Sequence, residues 1–251
     1  MNDKLLTKGF LPKPQPFDKL VTSFGYTVFE GVPPFNHFGK EVMSDSVKAM
    51  PAGNTPVDWM LLELRDVDDP VKRVAAKATL LQRDGDVINA ETGSTNIVFR
   101  GVPPGNYYVV LRHRNHIGVM TATRLSLTET ATVIDFTQPS YAVYGNNQRY
   151  LAGDKAFLWA GDANNSNSVV GSGPGSDANI MLGALLIAPE NTLVTTHFKM
   201  AGYYATDLNL DGLTVFSGPG NDLNLLFGNI MVHPLNDNSN ANFVIYGAVP
   251  R

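Results

Sequence analysis

The chain has no cysteine, so neither disulfide bonds nor thiolate metal sites are open to it. No apolar run approaches the roughly 18 residues of a membrane span, which argues against membrane insertion. The opening residues, MNDKLLTKGFLPKPQPFDKL, lack the apolar stretch of a signal peptide, so an exported form is expected to be a mature or truncated product. Charge is also scarce, at 17% of residues with a formal net charge of -4. From Tyr150 onward the only basic residues are Lys155, Lys199 and Arg251, against eight acidic ones. That acidic second half argues against nucleic acid as a partner and suits divalent cations. There is no serine nucleophile elbow, no phosphate-binding glycine loop and no HExxH pattern, so no enzymatic activity is expected. What remains is 251 residues with 43% hydrophobic content, enough for two modest globular domains.

The organising feature is an internal repeat. GDANNSNSVVGSGPGSDANIMLGALLIAP (161–189) returns 45 positions later as TDLNLDGLTVFSGPGNDLNLLFGNIMVHP (206–234). Asp162 pairs with Asp207, Asn164 with Asn209, Ser166 with Asp211, Ser168 with Leu213 and Asp177 with Asp222. Oxygen side chains at alternate positions followed by glycine, as in Asp207, Asn209, Asp211 and Gly212, suit a hard cation with six to eight oxygen ligands. Calcium is the cofactor this pattern predicts, with a backbone carbonyl near Leu213 as a further ligand and Asp222 closing the shell from a helix start. The first copy offers Asp162, Asn164, Ser166, Ser168 and Asp177. It is poorer, because Ser166 and Asn167 stand where the second has Asp211 and Gly212. A plain reading of the same Asp, Asn and Gly residues as turn formers stands beside the calcium one.

Taken in order, residues 1–20 carry Pro12, Pro14 and Pro16 and predict an extended arm, either a simple tail or one that lies on a neighbouring subunit. Residues 21–143 predict an antiparallel β-sandwich of about seven strands. Within them, 21–41 suggest short strands, and strands are expected at 57–65, 74–82, 87–88, 96–100, 107–113, 117–120, 124–127 and 132–136. A Gly/Asn-rich connector, 144–154, leads to the repeat domain, 155–251, whose apolar stretches at 178–188 and 223–232 are of helical length. HRNH (113–116) is the only histidine cluster; on a strand its two histidines face opposite sides, and it reads as a structural polar cluster at a strand end. Trp59, Trp159, Tyr107–Tyr108 and Tyr203–Tyr204 are read mainly as core, with a sugar platform as the sharper alternative.

VDWMLLELRD, LLQRDGDV, NYYVVLRHRNHIGVM and the GDAN and TDLNLDG loops together resemble the C-terminal region of large secreted surface proteins of Bacteroidota, labelled hemagglutinin-like or adhesin-like. The resemblance covers roughly Phe35 to Arg251. It implies a prealbumin-like β-sandwich joined to a dockerin-like calcium-loop module, an extracellular or cell-surface location, and export by the type IX route. FSGPGN (216–221) departs from the dockerin loop by lengthening it. The expected function is that of a non-enzymatic structural protein, calcium-stabilised, self-assembling into a fibre or surface layer, with an adhesive role toward cell-surface proteins or glycans. The alternative is a dockerin-like or glycan-binding interaction module of a larger secreted protein.

Overall fold

The computed structural model describes residues 3–17, 37 and 39–251. The described chain is mostly antiparallel β-structure with a few short helices. It opens with one helical turn, α1 (Lys4–Thr7), and a second turn, α2 (Asp45–Lys48), is capped by Ser44, whose side chain accepts the Val47 N–H. The main sheet contains β1 (Pro56–Arg65), β2 (Arg73–Gln82), β3 (Val87–Ile88), β4 (Gly105–His113), β5 (His116–Met120) and β6 (Leu125–Leu127). Its order is β3-β2-β1-β4-β5, with β6 beside β4. Met60 lies opposite Thr79 on one side and His113 on the other, which places β1 in the middle.

Successive side chains of β1 point to opposite faces, and both faces are covered. Trp59 and Leu61 pack with Leu5, Leu11, Phe17, Met43 and Val47, while Met60 packs with Leu111 and Val119 under Phe136, Val143 and Leu158. Double coverage explains why VDWMLLEL reads as a nearly continuous apolar run.

The N-terminal segment therefore lies on its own sheet. Trp59 Nε1 donates to the Pro12 carbonyl at 2.9 Å, and Pro14 bridges to Val42. Its prolines remove donors but leave carbonyls, and Leu5, Leu11 and Phe17 supply the anchors. Two expected strands are irregular. Among the described residues no strand pairs with 96–100 or 132–136, and Val98 and Val133 face solvent. The strands expected at 21–41 fall almost wholly outside the described residues. The connector at 144–154 contains structure of its own, because β7 (Arg149–Ala152) turns through Gly153 at φ +61° into β8 (Lys155–Leu158).

In the C-terminal part, β9 (Ser168–Val170), α3 (Asp177–Leu186) and β10 (Lys199–Ala201) are followed 45 positions on by β11 (Leu213–Val215), α4 (Asp222–Val232) and β12 (Val244–Tyr246). The pairing is crossed: β10 lies on β11, and β12 lies on β9. The two ladders are equivalent residue by residue, with Met200 opposite Thr214 and Ile245 opposite Val169. A shared core of Ala163, Leu208, Met181, Leu226, Ile230 and Ile245 closes round Trp159 and Ile117, the latter from β5 of the main sheet.

Candidate functional site

Each repeat loop is folded around two aspartates. In the first, Asp162 Oδ1 accepts Ser166 N–H at 2.8 Å and Oδ2 accepts Asn167 N–H at 3.0 Å. Asp177 Oδ1 accepts Ala163 and Asn164 N–H at 2.8 and 3.2 Å, and Oδ2 accepts Val170 N–H at 2.8 Å. The second loop repeats this donor for donor. Asp207 takes Asp211 and Gly212 N–H at 3.0 and 2.8 Å. Asp222 takes Leu208, Asn209 and Val215 N–H at 2.8, 3.1 and 2.9 Å. The backbone agrees: Asn165 and Leu210 share a left-handed conformation (φ 56° and 60°), as do Asn167 and Gly212 (φ 61° and 79°). Sequence differences at Ser166 and Asp211 do not alter the loop path, because the path is set by main-chain donors.

The four carboxylates are buried, and their acidities show what that costs. Burial, with the charge of Asp177 added, pushes Asp162 up to about 8, against the Ser166 and Asn167 hydrogen bonds that pull it down. Burial likewise pushes Asp177 up to about 7, Asp222 to about 7 and Asp207 to about 6. Asp207 is the lowest because the Arg114 guanidinium lies beside it, Nη2 to Oδ2 being 3.8 Å. The structure thus brings Asp162 together with Asp177, and Asp207 together with Asp222. Asn164 Nδ2 ties to the Gly175 carbonyl and Asn209 Nδ2 to that of Gly220, while Ser166 Oγ meets Ser168 Oγ at 2.7 Å. Asp211 sits at the rim, its carboxylate 3.6 Å from Lys4 Nζ and accepting the Leu213 N–H. Among the described residues no three His, Cys, Asp or Glu side chains converge as a metal group. A calcium shell also takes amide, hydroxyl and main-chain oxygens, so two carboxylates with Asn, Ser or Asp and a carbonyl per loop fit its chemistry. Each carboxylate oxygen that accepts one N–H retains a lone pair for a cation.

A second polar centre joins these loops to the sheet. Asp58, fully buried on β1, accepts the Tyr203 hydroxyl at 2.6 Å, His113 Nε2 at 3.0 Å and Arg114 Nε at 3.0 Å. Burial alone would raise the Asp58 pKa, but the charges of Arg114 and His113 outweigh it and hold the carboxyl well below its ordinary range. Arg114 continues to the Tyr204 carbonyl and lies over the Tyr203 ring. Asn115 donates through Nδ2 to the Ala205 and Asp207 carbonyls, while its own carbonyl accepts Gly161 N–H. The HRNH turn is thus a plug between the two repeats, and Asn115 touches the backbone that enters each loop, at Gly161 in the first and at Ala205 and Asp207 in the second. His116 is pushed well below its ordinary pKa by burial and by His113 and Arg114, which makes it a neutral hydrogen-bonding group.

The alignment of the repeat to Pro189 and Pro234 missed its second half. Asn191 Nδ2 holds the Leu185 and Thr195 carbonyls, and Asn236, 45 positions on, holds those of Ile230 and Asn240. The readable signal was the same spacing in Asn191/Asn236 and Phe198/Phe243. Trp59 and Trp159 are fully buried, so neither belongs to an exposed sugar platform. No family model, curated protein or solved structure matches the chain. No helix among the described residues is long and apolar enough to cross a membrane.

Proposed function

We propose that this chain is a non-enzymatic structural protein working outside the cell, in which a sandwich-like β domain is braced by a dockerin-like module holding one calcium ion in each loop. The observation that carries the reading is the pair of buried carboxylates in each loop, wrapped by the same main-chain donors at positions 45 apart. Two adjacent buried carboxylates resist joint ionisation, and a dication between them removes that penalty. Asp162, Asn164, Ser166, the Ser168 carbonyl and Asp177 would hold the first ion. Asp207, Asn209, Asp211, the Leu213 carbonyl and Asp222 would hold the second. Calcium at extracellular concentrations is sufficient for modules of modest affinity, and it staples a chain that has no disulfides. The resemblance to secreted surface proteins agrees with such a location and with export by the type IX route.

Titration of calcium-free protein with calcium, followed by calorimetry, tests the reading. Two equivalents are expected, falling to one in Asp177→Asn and in Asp222→Asn. At a hundredfold excess over Kd each site adds about 2.7 kcal/mol of stability. Absence of binding heat together with an unchanged melting temperature overturns the proposal. Light scattering in the same samples reads assembly: particles that disperse on chelation support a calcium-dependent fibre or layer. A monomer throughout restricts calcium to an internal brace.

A further inference from the structure

Between the first loop and the sheet lies a small polar pocket lined by Arg112, His113, His116, Asp162, Asn165 and Arg251. Its room is about that of one water-sized occupant. Three of these residues carry a buried polar atom with no hydrogen-bond partner among the described residues: Arg112 Nη2, His113 Nδ1 and Asn165 Nδ2. All three side chains are more than nine-tenths buried, with exposures of 3%, 2% and 8%. Buried polar groups are ordinarily paired, and three orphans round one pocket mark an occupant.

We propose that this pocket binds one small monovalent anion of the halide class, held by Arg112 Nη2 and Asn165 Nδ2. Charge selects an anion over water. Arg112 Nε is 3.4 Å from Glu63 Oε2, but that carboxylate is already bound by Arg65 at 2.9 and 2.7 Å. Two buried guanidinium groups thus share one negative charge, before Arg73, 2.9 Å from Glu63 Oε1, is considered. Burial chiefly, with Arg65 and Arg73 added and against Glu63, lowers the Arg112 pKa to about 10. Asp162 borders the pocket, but it accepts Ser166 and Asn167 N–H and makes no hydrogen bond to Arg112. Arg251, donating to the Asn165 carbonyl, adds a positive group at the mouth. Donors that cannot accept, such as guanidinium and amide N–H, suit a ligand that only accepts. The small room at its base suits a monatomic ion better than sulfate, phosphate or an organic carboxylate. Gly118 leaves the space Arg112 occupies, since a Cβ there would lie 3.3 Å from Arg112 Cγ and Nη1.

The test is halide binding to the full chain with calcium saturating, at constant ionic strength, exchanging isethionate for bromide. A rise in melting temperature of about 4 °C per tenfold increase in bromide above Kd is expected. Crystals grown in bromide should show one anomalous peak within hydrogen-bonding distance of Arg112 Nη2 and Asn165 Nδ2. Asn165→Asp supplies a fixed carboxylate at the same place; it should melt higher than the parent in isethionate and lose both the bromide response and the peak. This variant retains Arg112 and its Glu63 contact, and Asp tolerates the left-handed backbone at 165. A water in place of the peak, or a bromide response that persists in Asn165→Asp, overturns the proposal.

Discussion

Removing the charge of Asp58 is the most informative single change to the joint between sheet and repeat module. Asn at 58 preserves volume but leaves Arg114, fully buried, with Asp207 at 3.8 Å as its negative neighbour among the described residues. It also turns one acceptor for His113, Arg114 and Tyr203 into a donor. Breaking a buried pair from one side typically costs about 3–5 kcal/mol, so Asp58→Asn is expected to lose about that much. For a chain of this size that lowers the melting temperature by about 10–15 °C. Arg114→Met strands the Asp58 carboxylate and should cost a similar amount. The double variant removes both charges, and its loss should fall short of the sum of the singles by about 2–3 kcal/mol. Urea unfolding with calcium saturating measures all three, and the singles should unfold in two steps because the sheet and the module lose their shared centre. If Asp58→Asn lies within about 1 kcal/mol of the parent, or the double variant is simply additive, the network does not hold the joint.

Other outcomes follow from the loops and the repeat. A carboxyl whose folded pKa is raised favours the folded state most when protonated, and that advantage is lost as pH climbs through the folded value. Calcium-free protein should therefore lose stability as pH rises from the ordinary carboxyl value of 3.8, the loss being complete for Asp207 at about 6, for Asp177 and Asp222 at about 7 and for Asp162 at about 8. Melting after metal removal at about pH 5.5 and about pH 8.5 checks the sign, and greater stability at the alkaline end would refute it. Asn191→Ala and Asn236→Ala should each cost about 1–3 kcal/mol and by similar amounts, since each removes the amide donor to equivalent helix-end carbonyls; urea midpoints that differ widely would deny the equivalence. Gly212→Ala should destabilise by about 1–3 kcal/mol in the same assay, because φ is +79° and the added Cβ meets Phe10 Cδ2 at 2.7 Å; an unchanged midpoint would mean that the arm does not rest on the second loop.

The strands of the main sheet were legible where burial wrote a pattern into the chain, as in VDWMLLELR and YYVVLRH. NIVFR and 132–136 carry strand-forming residues too, but composition does not reveal whether an edge is free to receive them. Duplication made the loops conspicuous, and the helices after Ser176 and Asn221 begin where capping residues and Asp177 or Asp222 announce them. The partners of the loops were hidden by distance along the chain. Asp58 precedes its neighbour Tyr203 by 145 residues, and nothing local to either says that they meet. Asp58 inside an apolar strand was the available sign that a buried counter-charge had to come from elsewhere, whereas Glu63 has Arg65 two residues on. The seat of the arm is hidden for a related reason: proline spacing describes how a segment runs, whereas Leu5, Leu11 and Phe17 decide where it rests.

The crossed pairing of β10 with β11 and β12 with β9 gives the repeat a definite valence. Each copy carries one strand to offer and one edge to be filled, and neither need is met within the copy. Two copies satisfy one another completely, as the matched ladders Lys199–Val215 and Val244–Val170 record. A single copy would be an open bond at both ends, exposing Val169 or Thr214 without its opposite residue. Duplication here is therefore closer to a clasp than to a tandem array: the second half turns back to complete the first.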